Sequence, residues 1–193
     1  MNLPNKLTLL RMILTPFFLV TLLVNFPFHY AVSLFIFIVA SITDYLDGNI
    51  ARKQGIVTSF GKFLDPIADK MLTTAAFLGF MVLGIGYGVV WITFIVLLRE
   101  FIVASVRMVA VSSGGKVIAA NIWGKLKTVV QMVAIIYAIA AEAAKELFEL
   151  SKIAFALDIV TDILLWTSAV LCLISGVIYL IDNKEFIDTT KYG

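Results

Sequence analysis

The sequence predicts an all-α, polytopic membrane protein with six transmembrane helices in a single domain over residues 1–193. Three observations predict it. The chain is 61% hydrophobic and only 15% charged, where a soluble domain carries about 25% charged residues. Apolar runs of bilayer-spanning length recur along the whole chain, with no separate soluble stretch, and mean hydropathy is +1.02. Basic residues fall almost entirely to one end of the helices so mapped.

The first span is expected over Leu9–Val24. Its lead-in, Asn2-Leu-Pro-Asn5-Lys-Leu-Thr8-Leu-Leu-Arg11, is polar on one side and is expected to lie along the membrane surface before turning in. Pro16 predicts a kink. Lys6 and Arg11 before Met12–Val24 resemble the start of a secretory signal, but bulky Asn25–Tyr30 offers no small-residue cleavage site, so a retained helix is expected. Phe26–Tyr30 reads as an interfacial aromatic turn, with His29, the only histidine, in a loop.

The second span is expected from Tyr30 to Arg52, followed by a loop over Gln54–Gly61, and the third from Lys62 to Leu83. Gly84-Ile-Gly-Tyr-Gly88 is a tight turn. The fourth span is expected over Val89–Val111, with a loop over Ser112–Gly115, and the fifth over Asn121–Ala141. Glu142–Lys152 reads as a helical extension or a surface helix. The sixth span is expected over Ile159–Ile181, and it holds the single cysteine, Cys172, as a small packed hydrophobe.

Six spans put both termini on one side. Thirteen basic residues, including Lys6, Arg52, Lys70, Arg107, Lys125 and Lys184, map to that side, against Lys145 and Lys152 opposite. The termini are therefore expected in the cytosol. A net charge of +2 is too small to argue for a nucleic-acid partner.

The functional signal lies between Asp44 and Asp69. Asp44, Asp47, Asp65 and Asp69 are four carboxylates within 26 residues of a mostly apolar chain. Spacings of three and four put each pair on one face of a helix. Four acids facing one another would repel and lose solvation, and a divalent cation relieves both costs. Thirteen residues separate Tyr30 from Asp44. That is about 20 Å of helix in a hydrocarbon core about 30 Å thick, so the acids are expected just inside the cytosolic edge, at the level of lipid phosphates. Intramembrane acids mark function by default, although pairing with Arg52, Lys62 or Lys70 could absorb one or two of them. Gly48 and Gly61 allow close approach of a ligand or a neighbouring helix, and Arg52 reads as a phosphate partner.

Asp44-x2-Asp47-Gly48-x2-Ala51-Arg52-x8-Gly61-x3-Asp65-x3-Asp69 meets every fixed position of the CDP-alcohol phosphotransferase signature, and the chain resembles that family along its whole length. The resemblance implies the family's six-helix fold. The flanks Asn2–Arg11, Gly61–Lys70, Arg99-Glu100 and Gly124–Thr128 resemble its phosphatidylglycerophosphate synthase branch. That branch converts CDP-diacylglycerol and glycerol 3-phosphate to phosphatidylglycerol phosphate and CMP.

The resemblance further implies two divalent metal ions held by Asp44, Asp47, Asp65 and Asp69, with Mg²⁺ and Mn²⁺ both suited to carboxylate oxygens. It assigns Gly48, Arg52, Thr58 and Gly61 to the CDP moiety, with Asn5 and Thr8 as further contacts, and Asp69 as the proton acceptor. It also implies a homodimer in the cell membrane with a cytosolic active site. The acceptor's own phosphate asks for cations, and Arg99, Arg107, Lys125 and Lys127 are the candidates; anchoring at the membrane surface explains any one of the last three equally well. Arg99 and Arg107 are eight apart, about 80° round one helix. Pairing of Arg99 and Glu100 with neighbouring helices is a rival reading for Arg99. A cardiolipin, phosphatidylserine or phosphatidylinositol-phosphate synthase would carry the same acidic motif. An intramembrane prenyltransferase would lack the Gly-x2-Ala-Arg insert, and a cation transporter would spread its acids along a path.

Overall fold

The computed structural model describes residues 3–54, 59–112, 122–148 and 153–184, with the side chains of 3–4, 44–66, 69 and 111–112 outside that description. Six helices follow in order: α1 (Leu3–Leu23), α2 (His29–Gln54), α3 (Ser59–Leu83), α4 (Val89–Ser112), α5 (Ile122–Phe148) and α6 (Ala154–Asp182). The described residues contain no strand.

Apolar side chains point both inward and outward, as in a bilayer-embedded bundle. Phe18 and Leu22 of α1, Phe37 of α2, Phe77 and Phe80 of α3, Ile135 and Ile139 of α5 and Leu165 of α6 are fully buried or nearly so. The rings of Phe18 and Phe37 lie 5.3 Å apart. Phe35, Trp91, Phe101 and Phe155 point outward. Water would not tolerate so much outward apolar surface, and lipid does. Buried hydroxyls are satisfied within their own helices: Thr15 donates to the Arg11 carbonyl (2.9 Å), Ser33 to that of His29 (2.7 Å) and Thr93 to that of Val89 (2.8 Å).

Four helical stretches among the described residues are long and apolar enough to cross a membrane: Asn5–Leu23, Val89–Ala110, Ile122–Phe148 and Ala154–Asp182. In α2 and α3 the apolar stretches with described side chains are His29–Thr43 and Lys70–Leu83, each bordering residues outside that description. The chain is a multi-pass membrane protein of six helices.

Several expected boundaries shift. The lead-in is not a separate surface segment: α1 runs unbroken from Leu3 past Pro16. The loop expected to reach Gly61 ends earlier, since Ser59–Gly61 already belong to α3. Of the two readings for the segment after Ala141, the helical extension holds as far as Phe148. His29 is not a loop residue but opens α2, buried, its ring 3.9 Å from that of Tyr30. Cys172 is fully buried and free of disulfide, as its apolar surroundings predicted.

The turn between α3 and α4 forms as the glycines predict. Gly84, Gly86 and Gly88 all take positive φ, at 69°, 93° and 67°. The Ile85 N–H reaches back to the Phe80 carbonyl (3.0 Å), the helix-ending arrangement that needs a left-handed residue at Gly84. Acids from α5 and α6 hold both turns at this end. Glu146 accepts from the Phe28 N–H and Asp162 from the Tyr87 N–H, each at 2.7 Å, while Lys145 joins Glu142 to Asp158.

Candidate active site

Asp44 and Asp47 lie toward the C-terminal end of α2, and Asp65 and Asp69 in the N-terminal half of α3. The two consecutive helices therefore carry the four acids on their adjoining ends, and helical backbone runs through each pair. That register keeps both members of a pair on one face. Hard carboxylate oxygens at this spacing suit Mg²⁺ or Mn²⁺. The side chains of the four aspartates and of Arg52, and the surroundings of Gly48 and Gly61, lie outside the description, as does Thr58 altogether. Asn5 and Thr8 are buried on the inward face of α1.

The described side chains define a cavity of about 160 Å³ next to this region. Four helices line it. Lys70 and Thr73 come from α3, and Arg99, Glu100 and Arg107 from α4. Lys127 and Gln131 come from α5, and Ser175 and Tyr179 from α6. Lys70 directly follows Asp69, so the cavity begins one residue from the acidic motif. Of the four acceptor candidates, Arg99, Arg107 and Lys127 meet here. Lys125 does not line the cavity and is exposed.

Glu100 organises the cations. Lys70 Nζ lies 3.1 Å from its Oε2, Arg99 Nη1 lies 3.1 Å from its Oε1, and Lys127 Nζ also bonds Oε1. The pairing proposed as a rival role for Arg99 is therefore present. It coexists with the cavity rather than replacing it, since Arg99 lines the cavity as well. Arg99 Nε donates to Ser175 Oγ at 3.2 Å, and that hydroxyl donates to the Cys172 carbonyl at 3.1 Å. With its proton committed there, Ser175 offers Arg99 a lone pair. Gly176 lets the arginine stem lie against α6, because a Cβ there would stand 3.0 Å from Arg99 Cγ.

Sequence reasoning passed over Glu100, Ser175 and Gln131 as site residues. Glu100 carried a readable signal, since an acid inside a span needs a partner. Ser175 and Gln131 carried none, because only packing brings α5 and α6 to the cavity. Lys70 follows Asp69 by one residue, about 100° round α3 from it, and its ammonium engages Glu100 of α4.

A basic cavity beside a paired-aspartate stretch, in a six-helix membrane bundle, suits the handling of a pyrophosphate and a second phosphate. The chain belongs to the CDP-alcohol phosphatidyltransferase family, which matches residues 1–174. It is 36% identical over 202 residues to the CDP-diacylglycerol–glycerol-3-phosphate 3-phosphatidyltransferase of Bacillus subtilis, covering 98% of this chain and 99% of that one. The protein of the same name from Rickettsia bellii is 35% identical over 189 residues, covering 96% and 97%. A probable phosphatidylglycerophosphate synthase of Mycobacterium tuberculosis is 45% identical over 138 residues, covering 69% of this chain and 64% of that one.

Proposed function

We propose that this protein transfers the phosphatidyl group of CDP-diacylglycerol to glycerol 3-phosphate, giving phosphatidylglycerol phosphate and CMP. The single observation that carries the reading is the position of the cavity of Lys70, Arg99, Arg107 and Lys127, which begins one residue after the last motif aspartate. An acceptor bearing its own phosphate needs such a cavity, and an uncharged alcohol does not. The names of the relatives support the same acceptor.

In this reading Asp44, Asp47, Asp65 and Asp69 hold two divalent cations, Mg²⁺ or Mn²⁺. When bound, the cations neutralise the pyrophosphate and the departing phosphate. Gly48, Arg52, Thr58 and Gly61, with Asn5 and Thr8, receive the CDP moiety. Arg99, Arg107 and Lys127 bind the acceptor's phosphate through charge-assisted hydrogen bonds and orient its free hydroxyl. Lys125, exposed, serves the membrane surface instead. The acceptor oxygen forms a bond to the β-phosphorus as the bond from that phosphorus to the CMP oxygen breaks. Asp69 takes the hydroxyl proton, and CMP leaves with the bonding pair. The excess of basic residues toward the termini supports a site on the cytosolic side of the cell membrane, open to water-soluble glycerol 3-phosphate and CMP. The protein works as a homodimer, in keeping with its family.

The test is CMP release from CDP-diacylglycerol by purified protein offered a panel of acceptors. Release is expected with glycerol 3-phosphate and Mg²⁺ or Mn²⁺, and not with serine, inositol phosphate or phosphatidylglycerol. Preference for any of these three would make the protein a sister synthase.

A further inference from the structure

A phosphate-binding cavity gains nothing in attraction from a carboxylate, yet Glu100 sits in this one. Four cations against one carboxylate leave the cavity with three net positive charges. The carboxylate is well enclosed, with 16% of its side chain exposed, and it meets cations from three helices: Lys70 of α3, Arg99 of α4 and Lys127 of α5. Arg107 forms no ion pair among the described residues.

We infer that Glu100 is a positioning residue for acceptor binding: it gathers Lys70 and Lys127 and orients Arg99, so that Arg99, Arg107 and Lys127 face the acceptor's phosphate. The inference rests on the proposed function and names a residue that the reaction itself does not require. Without Glu100 the ammonium groups of Lys70 and Lys127 and the guanidinium of Arg99 repel one another at close range. Lysine stems are flexible and carry strongly hydrated charges, so both lysines would swing toward water. Arg99 would keep one anchor, its Nε bond to Ser175, which allows the guanidinium plane to turn about it. Two anchors on different nitrogens, Nε on Ser175 and Nη1 on Glu100, fix that plane and leave Nη2 for the ligand. Gly176 completes the cradle by admitting the stem.

The sign of the effect separates this inference from simple charge attraction. Glu100→Gln keeps the side chain's size and adds one net positive charge to the cavity. If Glu100 merely opposed the phosphate, that variant would bind glycerol 3-phosphate more tightly. Positioning predicts the reverse: KM for glycerol 3-phosphate rises about tenfold while KM for CDP-diacylglycerol changes less than about twofold. Glu100→Asp keeps the charge and should recover part of the loss. The experiment is steady-state CMP release by both full-length variants in detergent micelles, each substrate varied in turn. A KM for glycerol 3-phosphate that falls or stays level in Glu100→Gln overturns the inference, and so does an equal rise for both substrates. If Glu100→Gln yields no folded protein, Glu100→Asp decides by the same two KM values, with a selective rise expected and an unselective one fatal. A wild-type protein that releases no CMP with glycerol 3-phosphate sinks the functional reading and this inference together. Wild-type activity with an unselective variant sinks only the inference.

Discussion

Arg99 shows how much one side chain depends on its neighbours. It sits inside α4, where a lone guanidinium would be costly, and it is held by Glu100 and Ser175. Arg99→Ala is expected to raise KM for glycerol 3-phosphate about thirtyfold. That corresponds to about 2 kcal/mol for a lost charge-assisted bond. KM for CDP-diacylglycerol should move far less, and equal effects on both would give Arg99 a purely structural role. The aspartates divide differently. Asp44→Asn should abolish turnover and weaken metal-dependent binding of CDP-diacylglycerol. Asp69→Asn should keep that binding better than Asp44→Asn while losing nearly all turnover, because only Asp69 is also assigned the proton. Equilibrium binding of the CDP-lipid beside CMP release checks both. Substantial turnover in Asp69→Asn with an unchanged pH profile would remove it from the base role.

At the scale of elements, the turn between α3 and α4 offers a clean test. Gly84 and Gly86 both have positive φ, but a Cβ on Gly84 would meet nothing within 4 Å, whereas one on Gly86 would stand 2.6 Å from Leu165 Cδ1. Gly84→Ala should therefore cost only the backbone penalty, about 1 kcal/mol. Gly86→Ala should cost that and a displaced α6 side chain as well. Thermal unfolding in detergent should rank wild type above Gly84→Ala above Gly86→Ala, and equal midpoints would contradict the turn's geometry. This turn was legible in the sequence because three glycines in five residues leave few other conformations. The start of α2 was legible as well, expected at Tyr30 and found one residue earlier at His29. The acidic motif was legible for a different reason, since its chemistry fixes residue types at set gaps. The cavity beside it was legible only in part. Arg99, Arg107 and Lys127 announce themselves as charges within apolar helices. Lys125 looks the same in sequence, and only the rotation of α5 separates it from Lys127.

On the scale of the whole molecule, polar groups fall into two layers with an apolar bundle between them. One layer holds the cavity and the acid-bearing ends of α2 and α3. The other holds Glu142, Lys145, Glu146, Asp158 and Asp162, which tie the connecting turns. Lysines and arginines gather in the cavity layer, with Lys145 opposite, and this asymmetry is what supports a cytosolic cavity. The chain supplies its own low-background test, because Cys172, its single cysteine, is fully buried and should resist labelling. Lys184 and Tyr87 are both exposed and lie in opposite layers. A membrane-impermeant maleimide should label Lys184→Cys in inverted vesicles but not in intact cells, and Tyr87→Cys in intact cells but not in sealed inverted vesicles. The opposite pattern would turn the protein over in the membrane and place the cavity away from cytosolic glycerol 3-phosphate. Labelling of both positions from one side would break the six-helix path itself, since an odd number of crossings must separate α6's end from the α3–α4 turn.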